Sequence, residues 1–170
     1  IRLVVDAGLT DTSFIAARTE GFALFEASVA GVDVTAEALA CGVDADELRA
    51  AAMAFGKAAA AATIYGPGAV QGPNGVGTAA AMAYLALMTG NVGRPGTGLI
   101  PLRSGANSQG LVGMGVRPDR LPGGLAVDDL EAVSRVGTAW GVSLAGLATG
   151  VSAERLAEAV ERGAITVLYV

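Results

Sequence analysis

Ala62-Thr-Ile-Tyr-Gly-Pro-Gly-Ala-Val-Gln71 is the stretch on which the fold turns. Ala62 to Tyr65 is a short apolar run with β-branched and aromatic members, the composition of a strand. Gly66-Pro67-Gly68 interrupts it, and an apolar run from Val76 to Thr89 follows, shorter than the ~20 residues a bilayer crossing needs. The order is strand, loop, helix. Apolar residues occur all round that helix, which predicts that it is almost wholly buried. Upstream, Asp44 offers an N-cap oxygen with Glu47 three residues on. Leu48, Ala52, Phe55 and Ala59 then line one face of a helix running from about Asp44 to Ala59. Downstream, Ser152 caps a helix carrying Leu156 and Val160, Gly163 closes it in the left-handed conformation, and Ile165 to Val170 reads as a strand. Alternating helix and strand predict an α/β layer with a mostly parallel sheet, whose ligand crevice lies beyond the carboxyl ends of the strands. The loop after Tyr65 falls there.

Farther out, residues 1–43 read as a helical lead-in with short patterns at Thr12 to Arg18, Gly21 to Val29 and Ala36 to Ala40, broken at Gly8, Gly31 and Gly42. Residues 44–170 read as the partial α/β domain. Between Pro101 and Gly124 prolines and glycines leave room for ordered surface loop and one or two helical turns around Asn107 to Val112. An opening Ile1 and a closing strand-like run suggest a piece of something longer, without signal peptide or membrane span.

The 170 residues are 52% apolar, enough for a real core, and carry a formal charge of -5. That balance argues against nucleic acid, whose binding needs a basic surface to displace phosphate counterions. With one cysteine and no histidine, disulfide frameworks, Cys/His zinc sites and imidazole acid–base chemistry are excluded. Cys41 has no basic neighbour to stabilise a thiolate and is expected to be buried on a short helix. Trp140 and Phe55 are read as core. Asp128 with Asp129, and Glu158 with Glu161, are read as solvated positions rather than acid–base dyads. No nucleophile–base pair suggests itself, so no catalytic residue and no metal ligand is assigned.

Charge is distributed unevenly. No Asp or Glu occurs from Leu48 to Pro118, a span holding Arg49, Lys57, Arg94, Arg103 and Arg117. Within it, Gly90-Asn-Val-Gly-Arg-Pro-Gly-Thr-Gly-Leu-Ile-Pro-Leu-Arg-Ser-Gly-Ala-Asn-Ser-Gln-Gly110 carries six glycines and two arginines. Such a span suits an anionic ligand, because glycines let backbone N–H groups approach phosphate oxygens and guanidinium groups clamp them. Equally, glycines can serve turns while arginines cover surface. The common phosphate motifs are absent: Gln71 stands where the third glycine of G-x-G-x-x-G belongs, and no Gly-Lys-Ser/Thr follows.

Ala62 to Gln71, Leu87-Met-Thr-Gly-Asn-Val-Gly-Arg-Pro-Gly-Thr-Gly98 and Pro101-Leu-Arg-Ser-Gly-Ala-Asn-Ser-Gln-Gly110 with Gly113-Met-Gly115 together resemble the molybdopterin oxidoreductase family. The resemblance spans nearly the whole chain. It implies a partial doubly wound parallel sheet with helices on both faces, a fragment of a cofactor domain. Gly66-Pro-Gly-Ala-Val-Gln71 resembles the family's Gly-x-Gly-x-Thr-Gln, with Gln71 kept, Val70 in place of Thr, and Gly72 where formate dehydrogenases often carry His. Arg103-Ser-Gly-Ala-Asn-Ser-Gln-Gly110 resembles Arg-Gly-Gln-Asn-Asn-Val-Gln-Gly, keeping Arg103, Asn107 and Gln109 but replacing the pterin-contacting Gln by Gly105. The implied cofactor-binding set is Gly66, Gly68, Gln71, Arg103, Gly105, Asn107 and Gln109.

The implied cofactor is molybdopterin guanine dinucleotide, retained or lost, with iron–sulfur clusters only in a part N-terminal to this segment. The departures, with Met114-Gly-Val-Arg-Pro-Asp-Arg-Leu-Pro-Gly-Gly124, look most like the large iron–sulfur subunit of bacterial NADH:quinone oxidoreductase. A formate dehydrogenase catalytic subunit is the close second. The first implies a structural role beside other subunits of a respiratory complex, cytoplasmic and peripheral to the inner face of the cell membrane without insertion into it. The second implies oxidation of a small substrate at molybdenum.

Overall fold

A computed structural model describes residues 1–169; they fall into two compact units, one of Ile1–Arg103 and one beginning at Ser104. The first begins with five helices: α1 (Arg2–Asp6), α2 (Thr12–Arg18), α3 (Phe22–Val29), α4 (Val34–Ala40) and α5 (Ala45–Lys57). Aspartates start three of them. Asp11 Oδ1 accepts from Phe14 N–H, Asp33 Oδ1 from Thr35 and Ala36 N–H, and Asp44 Oδ1 from Asp46 and Glu47 N–H at 2.9 and 3.0 Å. Each carboxylate satisfies otherwise orphaned amides at the positive end of its helix. Asp44→Ala is therefore expected to lower stability by about 1 kcal/mol, read as a shifted urea midpoint with Asp44→Asn largely restoring it.

After α5 the chain forms β1 (Ala62–Tyr65), a 3-10 turn at Pro67–Ala69, α6 (Gly75–Met88) and β2 (Gly98–Pro101). The two strands are parallel, in the register Ala62↔Gly98 to Tyr65↔Pro101, and α6 packs against both. The result is a strand–helix–strand unit, an α/β arrangement as expected. Its second strand was hidden from sequence reading, because Gly98 and Pro101 bracket two apolar residues in a run that otherwise reads as loop.

The core of this unit is helical. Val4, Ile15 and Met88 are buried, with Leu9, Phe22, Phe25, Ala52 and Leu85 packed around them. Phe25 and Tyr84 meet at a ring separation of 4.8 Å. Asp11 N–H donates to the Met88 carbonyl at 2.8 Å, tying α2 to the end of α6. Burial of α6 is thus uneven, which corrects the expectation of a helix covered all round. Gly75, Ala86 and Met88 are buried, whereas Val76 is 87% exposed and Tyr84 46%. Two strands and a small helical cluster cannot surround a four-turn helix. Cys41, expected to be buried, follows the last turn of α4 and is exposed.

The second unit contains α7 (Ser108–Gly113), the antiparallel pair β3 (Arg120–Leu121) and β4 (Leu125–Ala126), α8 (Leu130–Trp140) and α9 (Leu156–Glu161). Leu121, Val127, Val133 and Val136 form its core with Leu125 and Leu144. Asp129 caps α8, accepting from Glu131 and Ala132 N–H, and Glu158 pairs with Arg155 and Arg162. The two carboxylate pairs therefore do surface and capping work. Gly163 takes φ +69° after α9, and Ala164 N–H donates to the Ala159 carbonyl at 2.9 Å. Ser152 precedes a 3-10 turn at Ala153–Arg155 without a side-chain cap bond. Three expectations fail, the Ser152 cap being the first. Residues 165–169 form no strand, since among the described residues no neighbouring strand is at hand to complete a ladder, and Val170 lies outside the described residues. Trp140 is 56% exposed rather than core. No helix among the described residues is long and apolar enough to cross a membrane.

Candidate functional site

Two glycine-bearing loops leave the parallel pair at the same edge. Gly66 follows Tyr65 out of β1, and Leu102 N–H donates to the Tyr65 carbonyl at 2.7 Å, carrying the β2 ladder one residue past Pro101. Arg103 therefore emerges on the carboxyl side of the pair, as does the Gly66–Gln71 loop. In open α/β sheets that is the side where ligands bind.

The loop after β1 is a tight turn. Ala69 N–H donates to the Gly66 carbonyl, while Val70 and Gln71 N–H both donate to the Pro67 carbonyl at 3.0 and 2.9 Å. Gly66 is half-buried, and Gly68 and Gln71 are exposed. Behind the turn, buried Gly75 opens α6 directly against the Val70 backbone. No side chain caps α6; the Gly75 N–H donates to the Gly72 carbonyl at 2.9 Å.

The arginines of the acid-free span separate by task. Arg94 Nε, Nη1 and Nη2 donate to the Gly90 carbonyl, the Ala59 carbonyl and Asn91 Oδ1 at 2.9, 2.7 and 3.0 Å. Arg117 is paired with Asp119, and Arg49 reaches Thr35 Oγ1 at 3.5 Å. Arg103 is exposed and has no hydrogen bond or ion pair among the described residues. Of these arginines it is the one with its donors unspent, and a planar guanidinium with free N–H groups suits a phosphate or carboxylate.

Asn91 was overlooked by sequence reading. It is 1% exposed, accepts from Ala61 N–H at 3.0 Å and donates to Thr89 Oγ1 at 2.9 Å. With Arg94 it fastens the entry of β1 to the end of α6, and so sets where the Gly66–Gln71 loop begins. The available signal was an amide and a guanidinium three residues apart in a span without acids to pair the arginine.

The remaining expected residues belong to the second unit. Asn107 caps α7, its Oδ1 accepting from Gly110 N–H at 3.1 Å, which engages that oxygen locally. Gly105 and Gln109 are exposed. Among the described residues no group of three or more His, Cys, Asp or Glu side chains is placed to hold a metal ion.

The chain matches no protein-family model. It is similar to formate dehydrogenase H of Escherichia coli, with 34% identity over 99% of this chain and 24% of that protein. It is 36% identical to the F420-dependent formate dehydrogenase subunit alpha of Methanocaldococcus jannaschii over 76% of this chain and 19% of the relative. It is 31% identical to the NADPH-Fe(3+) oxidoreductase subunit alpha of Geobacter sulfurreducens over 99% of this chain and 19% of that subunit. The chain thus spans a quarter or less of the length of these relatives. Fold and kinship define the chain as an α/β segment similar to part of these oxidoreductases. The similarities support the molybdopterin oxidoreductase family for this segment.

Proposed function

We propose that the segment is part of the cofactor domain of a formate dehydrogenase-like oxidoreductase. The loops after β1 and β2 would hold the pyrophosphate-bearing part of a molybdopterin. The observation that carries this reading is the exit of the Gly66–Gln71 loop and Arg103 at one edge of the parallel pair, with Arg103 unspent. The donor set fits such a group: a guanidinium, the Gln71 amide, and a turn that brings backbone close through Gly68. When bound, the cofactor supplies the two-electron redox centre. This chain's residues would bind and orient it, Arg103 by pairing with an anionic oxygen and Gln71 by its amide. Gly105, Asn107 and Gln109, which lie in the second unit, are proposed as cofactor contacts on the family resemblance alone, Asn107 through its amide nitrogen because its oxygen caps α7. The relatives' names favour this reading over the NADH:quinone oxidoreductase subunit, as they include formate dehydrogenases. Other subunits of a larger oxidoreductase would be its partners, as the relatives named as alpha subunits suggest.

A second reading rests on the departures at Val70, Gly72 and Gly105, which remove a hydroxyl, an imidazole and an amide from the loops. In it the domain keeps its fold without molybdenum and serves assembly within a respiratory complex, peripheral to the inner membrane face. Metal analysis of the full-length protein separates the two. Stoichiometric molybdenum, reduced at least tenfold in Arg103→Ala, on the order of the loss from stripping one partner of a charged hydrogen bond, is expected. Molybdenum-free protein that assembles normally overturns the cofactor reading.

A further inference from the structure

In the second unit, Arg117, Arg155 and Arg162 line one pocket of about 430 Å³ with Pro118, Asp119, Thr149, Gly150, Val151 and Ser152. We propose that this pocket binds a phosphate group carried on a small organic molecule. The inference is independent of the cofactor reading.

Guanidinium groups outnumber their partners here. Asp119 takes Arg117 through Nε and Nη2 at 3.0 and 3.2 Å, and Arg120 Nε at 3.2 Å. Glu158 takes Arg155 Nε at 3.5 Å and Arg162 Nη1 at 3.2 Å. Four guanidiniums thus share two carboxylates. The nearby acid Glu154 is engaged by its own backbone and by Ser152 rather than by these arginines. Burial raises the Asp119 carboxyl, but the Arg117 hydrogen bond and the Arg117 and Arg120 charges outweigh it and hold the group below its ordinary range.

The carboxylates act as spacers as well as partners. Glu158 holds Arg155 and Arg162 side by side, Asp119 fixes Arg117, and Gly150 N–H donates to the Pro118 carbonyl at 2.7 Å, joining the two walls. Each guanidinium has five N–H donors and spends only part of them on its carboxylate. Three guanidiniums lining one pocket suit a tetrahedral oxyanion with three acceptor oxygens better than a planar carboxylate with two. The volume lies within the range of small-molecule pockets, and Pro118 and Val151 give an organic body something apolar to rest on.

The test uses the full-length protein, titrated calorimetrically with inorganic phosphate and with glycerol 3-phosphate. Saturable binding is expected for both, tighter for the ester. It should weaken at least tenfold in the Arg155→Gln/Arg162→Gln double variant and stay unchanged in Arg135→Gln, an arginine of α8 outside the pocket. Arg155→Lys, which keeps charge without the planar fork, should fall between; it also serves should the double variant unfold. Absence of saturable binding, or equal affinity in the pocket variants, overturns the site. Inorganic phosphate binding as tightly as the ester overturns the assignment to an organic phosphate.

Discussion

Asn91→Ala is expected to destabilise the Ile1–Arg103 unit by about 2 kcal/mol, because it strips a partner from the half-buried Ala61 N–H and from the buried Thr89 hydroxyl. Asn91 is 1% exposed; its oxygen receives Ala61 N–H and Arg94 Nη2, and its amide donates to Thr89 Oγ1. A buried donor left unsatisfied costs about 1–3 kcal/mol, whereas the exposed Arg94 guanidinium can turn to water. The small cavity adds to this. Arg94 can recover part through its remaining bonds to the Gly90 and Ala59 carbonyls, whereas the Ala61 N–H makes no other hydrogen bond among the described residues. Urea unfolding measures the total, and hydrogen exchange at the Ala61 amide reports the local part. Asn91→Asp, which keeps the acceptor oxygens, should lose less than Asn91→Ala. Equal losses, or an Ala61 amide still fully protected in the alanine variant, would contradict the clamp.

Gly75→Ala has the second large effect, and its sign is the informative part. Replacing glycine by alanine in an exposed helix interior normally stabilises by about 0.5–1 kcal/mol. At Gly75 a Cβ would overlap the Val70 carbonyl group, with the Val70 carbonyl carbon at 2.5 Å and Cα at 3.2 Å. Backbone, unlike a flexible side chain, must move as a piece, so the substitution should cost about 3 kcal/mol, at or above the usual range for overpacking. The displaced segment is the loop after β1. Any cofactor held by that loop should therefore be lost along with stability. Gly72→Ala, whose added methyl meets nothing within 4 Å, supplies the control and should be close to neutral. A Gly75→Ala protein as stable as its parent would show that the loop and the start of α6 are not in contact.

Local signals were legible. Asp44 before Asp46 and Glu47 marked a helix start that the capping bonds realise. Thr12 to Arg18 coincides with α2, Asn107 opens α7, and Ala62 to Tyr65 is β1. Each depends on neighbours within about four residues, where side chain and backbone meet whatever the rest of the fold does. Less legible were β2, whose two inner residues acquire strand character only through pairing with β1, and α8, whose apolar stripe became evident with its core. The alternation of Leu121 and Leu125 around Pro122-Gly-Gly124 likewise forms a hairpin only because both leucines can reach Val133 and Val136.

The candidate site divides along the same line. From the residues alone came the chemistry of glycines where backbone can come close, an acid-free span with arginines, and no histidine for acid–base work; Gln71 and Arg103 as cofactor contacts came from the family resemblance. Tertiary structure decided which arginine is available. Arg94 and Arg103 are indistinguishable as letters in a glycine-rich run, yet Arg94 spends its three nitrogens on the Gly90 and Ala59 carbonyls and on Asn91, while Arg103 stands at the carboxyl edge of β2. The reason is geometric. A guanidinium's role depends on which acceptors lie within about 3 Å of it, and the Ala59 carbonyl, thirty-five residues before Arg94, reaches it only after β1 and α6 have folded back on each other.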